Sequence, residues 1–88
     1  PKNNQTLPAN SVILRWNKIY SSDTYQYEVE VSTDSILFDD NIIHNSTTSS
    51  DSIIMNLNNQ QYYWRVRAIK NQTTYPWSTT QAFLIFKP

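Results

Sequence analysis

From Gln61 to Ala68 the chain alternates bulky apolar and polar residues: Gln61-Tyr62-Tyr63-Trp64-Arg65-Val66-Arg67-Ala68. A period of two places successive side chains on opposite faces, so this stretch is predicted as a β-strand with one face in a core and one in water. Tyr25 to Ser32 alternates as cleanly, with Tyr25, Tyr27, Val29 and Val31 on one side and Gln26, Glu28 and Glu30 on the other. Ser11 to Asn17 follows the same rule, with Val12, Leu14 and Trp16 sharing a face. Shorter runs complete the set: Gln5 to Leu7 (ended by Pro8), Asn41 to Asn45, Ser52 to Leu57 and Ala82 to Phe86, while the sixth strand runs from Tyr62 to Lys70. No long segment has helical periodicity, and β-branched and aromatic residues dominate the apolar runs. The runs recur about every 8–15 residues between polar breaks, the spacing of an all-β sandwich of two antiparallel sheets, here with seven strands. Between them, Phe38 in the loop from Thr33 to Asp40 is expected to plug the edge of the core. Asn45 to Asp51, entirely polar, is expected to be the most mobile loop. No internal repeat or long linker divides the chain, so residues 1–88 read as one domain.

Composition narrows the function classes. Only 39% of the 88 residues are hydrophobic, but three Trp, six Tyr and three Phe supply large side chains for a small core. Seven basic and seven acidic residues leave no positive field for phosphate, which argues against nucleic acid as a partner. No apolar run approaches the ~20 residues of a membrane-spanning helix. The absence of Cys excludes disulfides, thiolate metal sites and a Cys nucleophile. Gly is absent too, so left-handed backbone positions fall to the ten Asn and to Asp, and connections are expected to be longer than two-residue hairpin turns. The chain begins at Pro1 and shows no signal peptide, which suggests a module of a longer protein.

Trp16 in Val12-Ile13-Leu14-Arg15-Trp16, the run Tyr27 to Ser35, Leu57 followed by Tyr62, the run Tyr62 to Ala68, and Trp77-Ser78 with Phe83 after it together resemble a fibronectin type III domain. The variant is the one common in bacterial surface and secreted proteins, and the likeness covers nearly the whole chain. It departs from the family in the turn Asn58-Asn59-Gln60-Gln61, one residue short and without Gly or Pro, and in the loop Asp34 to Phe38, one residue long. The resemblance implies an immunoglobulin-like sandwich in which the third and sixth strands are neighbours. It implies a tyrosine corner in which the buried Tyr62 hydroxyl bonds backbone near the preceding turn. It also implies a non-catalytic spacer or interaction module, extracellular, on the cell surface or periplasmic, whose termini leave from opposite ends. Its partners would be neighbouring domains of a parent protein, with a protein or glycan ligand as an alternative. A further alternative is an accessory domain of a carbohydrate-active enzyme. A monomer is expected, because no long flat apolar edge is evident; the short strand with Ile42 and Ile43 is the candidate edge.

The outward face of the third and sixth strands is the candidate site: Tyr63, Arg65 and Arg67, joined by Tyr75 and Trp77 from the segment before the last strand. The plainer expectation is a solvated ladder of Glu28 and Glu30 against Arg65 and Arg67, with Trp77 stacked on an arginine. The functional one is a partner-binding face with an aromatic platform. No catalytic, cofactor-binding or metal-binding residues are assigned. His44 is the only histidine and has no second imidazole or thiolate to help it hold zinc. Asp34, Asp39, Asp40 and Asp51 lack the spacing of a calcium loop. Glu28 and Glu30 sit beside arginines, which favours their ionised form and unsuits them as acids. The serines have no elbow motif or base. Three sequons, at Asn4, Asn45 and Asn71, are about what the Asn, Ser and Thr content gives by chance.

Overall fold

A computed structural model describes residues 1–19 and 24–88. Eight strands occur among them: β1 (Gln5–Leu7), β2 (Ser11–Arg15), β3 (Gln26–Ser32), β4 (Ile42–Thr48), β5 (Ser52–Asn56), β6 (Gln60–Lys70), β7 (Thr73–Thr74) and β8 (Gln81–Ile85), with one 3-10 turn at Asp39–Asn41. The larger sheet runs β1-β8-β6-β3-β4, with β7 paired to β6, and the smaller is β2-β5. The two layers bury one core. Val12 and Leu14 come from β2, Val29 and Val31 from β3, Tyr62 and Trp64 from β6, and Phe83 and Ile85 from β8. These are the positions that period-two alternation puts on one face, and burial of that face drives the layers together.

The architecture is all-β in two sheets, as expected, but it differs from seven antiparallel strands in three places. First, β1 pairs with β8 in parallel, Gln5 beside Phe83 and Leu7 beside Ile85. Pro8 has no N–H to extend β1, and the chain crosses at once to the other layer, where Asn10 and Leu57 close the β2–β5 ladder. A strand that arrives by crossover rather than by hairpin is free to pair in parallel. Second, an eighth strand, β7, forms a tight hairpin with β6. Lys70 faces Thr73, and the two turn residues Asn71 and Gln72 have φ of 49° and 67°. That is the backbone of a primed two-residue turn built without glycine, against the expectation of longer connections. Asn4, at φ 64°, does the same service in the turn closed by Gln5 N–H to Lys2 C=O. Third, the polar run from Asn45 is not all loop. Asn45 to Thr48 belong to β4 and pair with Glu30 to Tyr27 of β3. An edge strand with only one neighbour and a half-buried inner face tolerates Ser and Thr where a central strand would not.

Two aromatic assignments also change. Trp16 lies one residue past the end of β2 and is half-buried, packed on the core rather than within it. Its backbone N–H still bonds Asp51 C=O, and its ring meets Tyr27 at 6.0 Å. Phe38 is buried but stands outside the core cluster. A register shift at Val31/Ser32 turns the chain, and Ser32 Oγ donates to Phe38 C=O, which folds the loop back onto the outer side of the sheet.

The Tyr62 ring stacks on Phe83 at 5.6 Å, and its hydroxyl donates to Asn58 C=O at 3.0 Å, four residues back. This is the corner bond, and it falls on Tyr62 rather than Tyr63. Burial pushes the phenol pKa up. Tyr62→Phe removes one bond at constant packing and is expected to cost about 1 kcal/mol in urea unfolding. An unchanged midpoint would remove the corner from the list of stabilising contacts.

Candidate functional site

β3 and β6 are central neighbours, and their register sets Glu28 opposite Arg67 and Glu30 opposite Arg65. Alternation points all four away from the core. Arg65 Nε and Nη2 both donate to Glu30 Oε1, at 3.0 and 2.7 Å, and Nη2 also reaches Asp39 Oδ1 at 2.8 Å. Arg67 donates to Glu28 Oε1 at 2.7 Å. From β4, the Asn45 amide donates to the remaining oxygens, Glu28 Oε2 at 2.8 Å and Glu30 Oε2 at 2.9 Å. Every carboxylate oxygen of the pair therefore has a partner, and the ladder is far less solvated than a surface array. Glu30 is only 8% exposed.

Trp77 is laid over this ladder by its own backbone. Tyr75 N–H bonds Ala68 C=O and Ser78 N–H bonds Val66 C=O, so three steps on this segment answer two on β6. Pro76 has no N–H to offer between them, and the extra residue bulges. Ser78 Oγ fixes the end by accepting from Val66 N–H at 3.0 Å. The guanidinium carbons of Arg65 and Arg67 then lie 4.3 and 4.2 Å from the indole, and Arg65 lies 4.2 Å from the Phe38 ring on its other flank. Phe38, Arg65, Trp77 and Arg67 thus form an alternating aromatic–cation series, each contact worth about 0.5–1 kcal/mol at exposed sites and more where desolvated.

Of the five residues singled out from the sequence, Arg65, Arg67 and Trp77 come together. Tyr75 does not join them. It is 39% exposed and meets Tyr25 edge-on at 6.0 Å. The Tyr63 side chain is half-buried and forms no hydrogen bond or ring contact with any described residue. Phe38, Asp39 and Asn45 complete the site and were not foreseen in it. His44 Nε2 lies 2.9 Å from Ser46 Oγ. Among the described residues no three His, Cys, Asp or Glu side chains group as a metal site. No protein-family model and no curated protein sequence matches this chain.

Burial acts to raise the Glu28 pKa, but the bonds from Asn45 and Arg67 and the field of both arginines outweigh it, and the net shift is downward. Asp34 is lowered as well, by the backbone N–H groups of Leu37 and Ile36 that its carboxylate accepts at 3.0 and 2.8 Å. Both groups bind protons more weakly folded than unfolded. Their contribution is complete above the ordinary carboxylate range and is lost as pH falls through the lowered folded values. Thermal midpoints are expected to be flat at neutral pH and to fall in acid, with Glu28→Gln flattening that fall. A midpoint that rose on acidification would contradict the assignment.

Proposed function

We propose that this chain is a non-catalytic fibronectin type III-like module that serves as a rigid spacer and interaction unit in a larger extracellular, cell-surface or periplasmic protein. The observation that carries the reading is the parallel pairing of β1 with β8. The chain enters along β1 and leaves along β8 in the same direction, so units joined end to end continue one way instead of folding back. The Tyr62–Asn58 corner and the Trp77 clamp support the same reading, because both spend aromatic side chains on stiffness rather than on a pocket. The polar groups that could do chemistry on the outer face are occupied with one another.

Two copies fused in tandem by a short linker are expected to form an extended rod in small-angle scattering, with a maximum dimension about twice the 45 Å of one unit. A compact particle would sink the spacer reading. A recognition role is favoured by one observation, the exposed ring of Tyr75 two residues before Trp77 in the chain. A glycan array comparing wild type with Trp77→Ala separates that role from the structural one.

A further inference from the structure

The smaller sheet has an open side. Trp16 N–H bonds Asp51 C=O and Leu57 N–H bonds Asn10 C=O, so the even-numbered positions along β2 face β5. Antiparallel bonds alternate, which leaves the N–H and C=O groups of Ser11, Ile13 and Arg15 pointing the other way. No strand among the described residues pairs there, because β1 lies on β8 instead. Beside the end of that edge is a cleft of about 480 Å³, walled by Arg15, Trp16, Trp64, Val66, Ala68 and Gln81 and by no residue of β5. Among the described residues no carboxylate lines it. Arg67, also in its wall, already holds Glu28, whereas Arg15 makes no ion pair with any described residue. The indole N–H groups of Trp16 and Trp64, two residues of its wall, are buried without an acceptor among the described residues. A buried donor left unpaired is costly, and an added carbonyl removes that cost.

We propose that this edge and cleft take an extended segment of a partner protein, alternating apolar and acidic residues, as a further strand on β2. Its backbone would meet the free groups of Ser11, Ile13 and Arg15, the mode in which main-chain bonds give affinity and alternate side chains give specificity. Its carboxylate faces Arg15. Its apolar side chain enters between Trp16 and Val66, where a small shift of either indole brings an N–H to a peptide carbonyl. The free edge of β2 takes no part in the Trp77 clamp, but the cleft shares Arg67, Pro76 and Ser78 with it, so the Ile13 and Arg15 variants, which leave the clamp residues in place, separate the proposal from the spacer reading.

The test is a titration of the isotope-labelled chain with an acetylated, amidated octapeptide alternating Val and Glu, against the same peptide with Lys for Glu. The Glu peptide is expected to slow hydrogen exchange at Ile13 and Arg15 and to shift the indole N–H resonances of Trp16 and Trp64. Arg15→Glu is expected to weaken it about tenfold and to transfer preference to the Lys peptide. Ile13→Pro removes only the outward N–H, a change edge strands accept, and is expected to abolish binding. If that variant does not fold, the Arg15→Glu charge swap decides alone. Unchanged exchange at millimolar peptide overturns the proposal, as does equal binding of both peptides. Protection that grows with protein concentration and ignores the peptide also overturns it, because the occupant is then a second copy.

Discussion

Trp64→Ala is expected to destabilise the fold by about 3–5 kcal/mol, a large fraction of the stability of a small domain. Trp64 is 4% exposed and sits at the centre of the larger sheet, with Val31 beside it on β3 and Gln81 on β8. Its removal leaves a void between two strands and the facing layer, open only on the side of the cleft that it shares with Trp16, which the backbone cannot close without breaking ladder bonds. Trp16→Ala should cost distinctly less. Trp16 is half-buried past the end of β2, and solvent can follow the lost ring into the adjoining cleft. Urea unfolding followed by circular dichroism measures both, and an equal loss would place Trp16 back in the core.

The contrast between these two residues shows what alternation reveals and what it hides. Period two marks β3 and β6 nearly to the residue, because buried apolar side chains on one face of each alternate with polar, mostly charged ones on the other. It could not say where a strand stops. Trp16 continues the alternation of Val12 and Leu14, but the partner strand has run out at Ser52. β4 shows the converse, because its polar half reads as a loop by composition. It is a strand because β3 offers it a ladder and Asn45 can reach both glutamates. That fact depends on a long-range register that no local window contains. The hairpin at Asn71–Gln72 was hidden for a local reason, since Gln rarely takes the left-handed region. At the site, Arg65, Arg67 and Trp77 were visible as a strand face and a nearby ring. Phe38 and Asp39 were not, because their approach to Arg65 depends on the register shift at Val31/Ser32 and the fold of the following loop.

The second large effect is expected at Glu30. Glu30→Ala removes the acceptor of two Arg65 bonds and of one Asn45 bond from a position almost closed to water. Breaking a fully buried pair from one side costs about 3–5 kcal/mol, chiefly through the stranded charge. Arg65 retains 18% exposure and a second carboxylate in Asp39, itself 80% exposed, so the expected loss is nearer 2–3 kcal/mol. Arg65→Leu alone strands Glu30 instead, with only Asn45 left to it. The double variant strands neither, and its loss should fall short of the sum of the single losses. A double-mutant cycle by chemical denaturation reads that coupling directly. The cycle also bears on the clamp. Glu30 holds the guanidinium in the orientation that Phe38 and Trp77 stack upon, so Glu30→Ala should raise hydrogen exchange at Ser78, whose N–H ties the Trp77 segment to Val66. A cost below about 1 kcal/mol, with Ser78 exchange unchanged, would reduce the ladder to an ordinary surface ion pair and leave the stiffness of this face to the strands alone.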